Sequence, residues 1–232
     1  MSDRFYAPDL GSFEGTYTLE GPEAHHLRTV CRGKPGDHVE LFDGKGLEAR
    51  GELLEVLRHE AVIRVLDQRM NPEPSHSLDI ACAIPKGDRG VWLVEKCVEL
   101  GVTRLIPLRT ERSITEAGDG KLEKFRRTVI EACKQSRRPY LLSIGEPVVW
   151  DSYLQASSPG WVLDPRGDAP VRQAGDVPNH IAIGPEGGWT QDELASARNQ
   201  GWKSVRVPGN ILRVETAAVA IAAWVRVQGS CD

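Results

Sequence analysis

Two stretches most restrict the folds open to this chain: His180–Thr190, HIAIGPEGGWT, and its echo at Val207–Ala218, VPGNILRVETAA. Each joins a short apolar run to a loop bearing glycine and proline, and each loop opens into a helical pattern. Ile181–Ile183 reads as a buried strand. Gly184, Pro185, Gly187 and Gly188 then interrupt regular structure, and Thr190 with Glu193 has the spacing of a capping box that starts a helix. Glycines at such a junction leave main-chain N–H and C=O groups uncovered, so that a ligand can approach to hydrogen-bonding distance. The second loop follows a strand at Ser204–Val207 and runs into the apolar segment Ala217–Val227. Two such loops at strand ends predict one shared pocket.

The rest of the chain divides in texture. Tyr17–Leu19, His38–Phe42, Gly46–Leu54 and Ala61–Leu66 read as short strands separated by the turns Lys34–Asp37 and Asp43–Gly46. A helical turn fits Gly21–Val30, with Pro22 at a first helical position and Leu27 and Val30 on one face. Many short strands and one helix predict a small β-barrel. Asn71–Ser75, NPEPS, is a stiff polar connector. Beyond it strands and helices alternate: strand Leu78–Ile84, helix Asp88–Leu100, strand Thr103–Pro107, helix Lys121–Gln135, strand Leu141–Ile144, a short helix near Asp151–Gln155 and a strand at Trp161–Leu163. This predicts an α/β domain with a mostly parallel sheet, and a division at residues 1–72 and 73–232.

Composition sets limits. No apolar run approaches a bilayer span, and the opening residues MSDRFYAPDLGSFEG lack a signal-peptide apolar region. The five cysteines, Cys31, Cys82, Cys97, Cys133 and Cys231, form neither CxxC pairs nor an even set, which fits a reducing cytoplasm. The net charge of −4 argues against nucleic acid, but between Lys121 and Arg138 seven basic residues face only Glu123 and Glu131. That run is either a phosphate-binding face or a solvated helix surface.

The glycine loop is not a phosphate loop, since no Lys-Ser/Thr follows and Glu186 repels phosphate; nor does it match GxGxxG, because Pro185 and Glu186 break the spacing. An acidic residue amid exposed main chain suits a ligand with a positive charge and an adenine-like edge, as S-adenosylmethionine has. At the second loop, Glu215 fits a helix N-terminus, whereas Arg213 sits at the end a cation disfavours and points to an anionic partner. His25 and His26, adjacent on a helical turn, diverge and lack further ligands, so no metal is expected. With Arg28, Arg32 and Lys34 they are a nucleic-acid contact or a plain surface turn. Lys86, Asp88 and Arg89 carry the same two readings.

Taken in order, HHLRTVCRGKPGD, the DGKG turn, Lys96–Glu99–Leu100–Gly101, Glu131–Ala132 with Gln135–Arg138, IGPEGGWTQDE and ILRVETAA resemble successive motifs of the ribosomal RNA small subunit methyltransferase E family. The likeness runs from Arg4–Phe5–Tyr6 to the last helix. It implies an N-terminal PUA-like barrel and a C-terminal SPOUT methyltransferase domain with a trefoil knot. It further implies a homodimer that methylates N3 of one uridine in the decoding region of 16S rRNA in the small ribosomal subunit, using S-adenosylmethionine. The family pattern sets the cofactor against three loops, which here match Leu163–Asp164, Ile183–Gly188 (Ile183, Gly184, Pro185, Glu186, Gly187, Gly188) and Val207–Leu212 (Val207, Pro208, Gly209, Asn210, Ile211, Leu212). Members often carry arginine where this chain has Asn210, which leaves a backbone role there. Arg213 is expected to position the base or stabilise its anion, and Glu215 to anchor Arg213 or to remove the N3 proton. Arg4, His25, His26, Arg28, Arg32, Lys86, Arg89, Arg137 and Arg138 are expected to meet the rRNA. The competing expectations are a ribose 2′-O methyltransferase of the same fold and a non-catalytic RNA-binding protein.

Overall fold

The computed structural model describes residues 3–11, 15–113, 119–169 and 177–229; Cys231 lies outside them. The chain packs as two units, residues 1–74 with 133–141 and residues 75–132 with 142–232.

The first unit is a five-stranded sheet of order β1-β3-β4-β5-β2, formed by β1 (Asp3–Tyr6), β2 (Thr16–Glu20), β3 (His38–Phe42), β4 (Leu47–Val56) and β5 (Glu60–Met70). Along β4, Leu47, Ala49, Gly51 and Leu53 turn inward at every second position, the alternation expected of a strand with one buried face. The β4–β5 ladder slips at Arg50/Gly51 and Leu53/Glu55, and such bulges bend a sheet onto itself. Phe5, Leu10, Leu19, Leu27, Leu41, Leu53 and Ile63 form its core. The first strand, DRFY, has no legible pattern because two of its four residues are charged; it is fixed by parallel pairing to β3, Phe5 opposite Leu41.

One helical expectation needs correction. Helix α1 (Gly21–His26) opens with proline as predicted, but the chain then widens into a π turn over Leu27–Cys31, closed by Arg32 in the left-handed region at φ 55°. The wider turn rotates Val30 away from Leu27: Leu27 is buried and Val30 is 65% exposed.

The second unit is a parallel sheet of order β12-β10-β11-β6-β7-β8, with β9 also pairing with β7. Its strands are β6 (Asp79–Cys82), β7 (Arg104–Arg109), β8 (Ser143–Ile144), β9 (Val148–Val149), β10 (Trp161–Asp168), β11 (His180–Ile183) and β12 (Lys203–Val205). Its helices are α2 (Asp88–Glu99), α3 (Asp119–Ser136), α4 (Trp150–Ala156), α5 (Gln191–Asn199) and α6 (Val214–Gly229); residues 133–136 of α3 belong to the first unit. One face of the sheet, through Ala81, Ile106, Val162 and Ala182, packs against α4 and α5 (Trp150, Tyr153, Leu154, Leu194, Ala197), together with Trp189 and Trp202. Alternation turns Ile80, Cys82, Ile181 and Ile183 the other way, where α2 and α6 pack together and α6 meets β11. Coverage on both faces explains why the central strands read as unbroken apolar runs.

The connections fix where a ligand can sit. From β6 the chain passes through α2 to β7 on one side; from β11 it passes through α5 to β12 on the opposite side, beyond β10. Adjacent strands β6 and β11 thus part in opposite directions, and their carboxyl ends leave the crevice where open α/β sheets bind ligands.

Candidate active site

The loop after β11 lies at that crevice and is fixed from several directions. Trp189 folds back so that its indole N–H donates to the carbonyl of Leu163 at 2.9 Å, tying the loop to β10. A side chain at Gly184 would put its Cβ 2.9 Å from the Trp189 ring, so only glycine allows this closure. Gly188, at φ 70°, donates its N–H to Pro185 O at 2.8 Å and completes the turn. Arg112 Nη1 holds the Gly187 carbonyl at 2.9 Å. The predicted capping box is present: Glu193 N–H donates to Thr190 Oγ1 at 3.2 Å and Thr190 N–H to Glu193 Oε2 at 2.8 Å. The other Glu193 oxygen accepts from Glu111 N–H at 2.9 Å, so one buried carboxylate fixes both the start of α5 and the loop after β7.

The two predicted segments are bridged by a residue of helix α2. Arg89, in the first turn of α2, places Nη2 3.6 Å from Glu186 Oε1 and Nη1 3.5 Å from Glu215 Oε1. Glu215 is in the first turn of α6, where the helix dipole favours a carboxylate. Its side chain is only 7% exposed, and its second oxygen has no hydrogen-bond donor among the described residues. A buried carboxylate oxygen without a donor is costly, so it fits a site completed by a ligand.

The second loop is open. Pro208, Gly209, Asn210, Ile211 and Arg213 are exposed, Ile211 by 85%, and Gly209 takes φ 116°. Among the described residues, the amides of Gly209, Asn210, Ile211 and Leu212 donate to no other main-chain group. Arg213 has no carboxylate partner among them either; the expectation that Glu215 anchors it is corrected, since Glu215 pairs with Arg89. Val207 and Leu212 are half-buried. Asp164 is buried and accepts from Arg166 N–H at 3.1 Å. A cleft of about 660 Å³ flanks β10, lined among others by Asp164, Arg166, Arg198 and Trp202. Of the expected cofactor residues only Asp164 borders it.

The expected RNA contacts fare unevenly. His25, Arg28, Arg32 and Lys86 are exposed and His26 is half-buried. Arg4 is corrected: its side chain is 4% exposed, donates to Glu48 at 2.8 Å and to the Arg138 carbonyl at 3.2 Å, and lies over the Phe42 ring. Burial lowers its pKa, which Glu48 partly offsets; the group holds the first unit together and does not face solvent. Arg137 is exposed but pairs with Glu40 at 2.8 Å. Much of the basic run is similarly engaged: Lys134 with Glu23, Arg126 with Glu146, Arg127 with Glu123, and Lys121 with the Ile84 and Pro85 carbonyls. Phosphate would have to compete with these carboxylates and, at Lys121, with main-chain carbonyls.

Sequence reading missed Arg112 and the closing role of Trp189. Both act on the loop through main-chain carbonyls, which carry no side-chain signature. No group of His, Cys, Asp and Glu among the described residues could hold a metal ion, and none of their helices is long and apolar enough to cross a membrane.

Comparison with known proteins agrees with this architecture. Residues 71–226 match the RNA methyltransferase domain family and residues 19–66 the RNA methyltransferase PUA domain family. The chain is 33% identical to ribosomal RNA small subunit methyltransferase E of Synechocystis, over 90% of this chain and 72% of the relative. It is 31% identical to the same enzyme of Rickettsia conorii, over 89% and 87%. The crystal structure of the Neisseria gonorrhoeae enzyme, bound to S-adenosyl methionine, superposes with a TM-score of 0.88 at 29% identity, covering 98% of each chain. An α/β unit with a parallel sheet, preceded by a PUA domain and carrying these loops at its switch point, belongs to the ribosomal RNA small subunit methyltransferase E family of RNA methyltransferases.

Proposed function

We propose that this chain methylates N3 of a uridine in the decoding region of 16S rRNA, in the small ribosomal subunit, with S-adenosylmethionine as the donor. The observation that carries the reading is the convergence of Glu186, Arg89 and Glu215 at the switch-point crevice, between two loops with uncovered main chain. The residues suit the donor: amides at Gly209–Leu212 can recognise an adenine edge, and Glu186 suits positive charge or N–H donors. Leu163, Asp164, Ile183–Gly188 and Val207–Leu212 would hold it. When bound, S-adenosylmethionine supplies an electrophilic sulfonium methyl group.

Uridine N3 becomes nucleophilic only as its proton leaves, and in a duplex it is hidden by pairing, so the base must be presented unpaired. Arg213, exposed and without a carboxylate partner among the described residues, suits the uracil oxygens as negative charge spreads over them. Glu215 Oε2, lacking a donor, suits acceptance of the N3 proton. His25, His26, Arg28, Arg32, Lys86, Arg137 and Arg138 would contribute to rRNA binding, and the protein would act in the cytoplasm as a homodimer with a SPOUT-type knot. Nucleoside mass spectrometry of 16S rRNA, with and without the gene, tests the reading: 3-methyluridine should disappear with the gene. A methyl lost from a ribose instead would establish 2′-O transfer, and no change would remove the assignment.

A further inference from the structure

We propose that Arg89 is a positioning residue, a clamp that couples the Glu186 loop to Glu215, and not a phosphate contact. The inference rests on the proposed methyl transfer for its kinetic consequence but on geometry for its existence. Arg89 extends from the first turn of α2, the helix that follows β6, and its two terminal nitrogens go to different carboxylates from different elements. One is on the loop after β11 and the other in the first turn of α6. The three side chains therefore tie together the segments on either side of the switch point. Partly exposed ion pairs of 3.5 and 3.6 Å add little stability, so their value lies in placement.

Glu215 shows what is placed. Its side chain is almost wholly buried, and among the described residues Arg89 is its only ion-pair partner, engaging Oε1 and leaving Oε2 unpaired. Glu186, half-exposed, is held by the other arm. A ligand that seats against the Glu186 loop is thereby linked to the orientation of the Glu215 carboxylate. A guanidinium can span two carboxylates through separate nitrogens; a lysine ammonium is a point charge and cannot reproduce the span.

That difference gives the test. Arg89→Lys, Arg89→Ala, Glu186→Gln and the Arg89→Lys/Glu186→Gln double variant are compared with wild type for kcat and KM on small ribosomal subunits, for the salt dependence of rRNA binding, and for amide hydrogen exchange at residues 184–189 and 207–215 without cofactor. The clamp predicts that Arg89→Lys lowers kcat roughly 10- to 100-fold, leaves KM for RNA and the salt slope unchanged, and speeds exchange in both segments. Glu186→Gln should lose less, and the double variant no more than Arg89→Lys alone. A phosphate contact would instead tolerate lysine in kcat and, in Arg89→Ala, shed about one unit of salt slope; that result overturns the clamp, as does unchanged exchange in both segments. Should the wild-type chain transfer no methyl to rRNA, the proposed function fails, and the exchange measurement alone still decides the clamp.

Discussion

At the residue scale, three side chains carry specific consequences. Arg213→Ala should lower kcat roughly 100-fold through loss of anion stabilisation, and Glu215→Gln by about 100-fold or more through loss of the proton acceptor. Both should retain S-adenosylmethionine binding by calorimetry; wild-type turnover in either variant removes that residue's role. His180 offers a pH test remote from these groups. Burial lowers its pKa below the ordinary 6.5, Asp79 opposes that shift, and Arg104 adds to it. Protonating the imidazole therefore favours the unfolded chain. Its contribution to stability is complete above pH 6.5 and is lost as pH falls from there toward the lower folded value. Thermal melts at about pH 7.5 and about pH 5.5 should show a larger fall in Tm for wild type than for His180→Asn; equal falls would contradict it. Glu186, Glu215 and the glycines were legible in sequence because few turns need that combination. The partner of Glu215 was not, since Arg89 lies 126 positions away and reaches it only once β6 and β11 are neighbours.

At the scale of elements, local chemistry was readable wherever a motif closes on itself. The Thr190–Glu193 box was legible because both of its hydrogen bonds span three residues, and Thr190→Ala should cost about 1 kcal/mol, a fall of roughly 2–4 °C in Tm by calorimetry. A wild-type melt would mean that the box contributes nothing once α5 is packed. Elements that depend on distant partners were not readable: β1 exists through β3, two-residue β9 through β7, and the π turn after His26 through packing of Leu27. The strand order that creates the switch point is of the same kind. A knot leaves no local pattern at all, because it is a property of the path of the chain.

At the scale of the whole molecule, a net charge of −4 is reconciled with an RNA substrate by local exposure and not by the sum. Arg28 and Arg32 are exposed beside α1, whereas Arg4 is buried within the same unit. Arg28→Ala with Arg32→Asn, asparagine tolerating the left-handed backbone at position 32, should weaken rRNA binding and reduce its salt slope by about two units. Arg4→Met should lower Tm and leave the slope unchanged; a change in slope would return Arg4 to the RNA surface. The proposed homodimer predicts a light-scattering mass twice the 25.6 kDa of one chain. The central claim is that the crevice between β6 and β11 grips the methyl donor, and a crystal structure with S-adenosylmethionine tests it most directly. The donor should lie between Ile183–Gly188 and Val207–Leu212, within reach of Glu215; a donor bound elsewhere with both loops untouched would contradict the account.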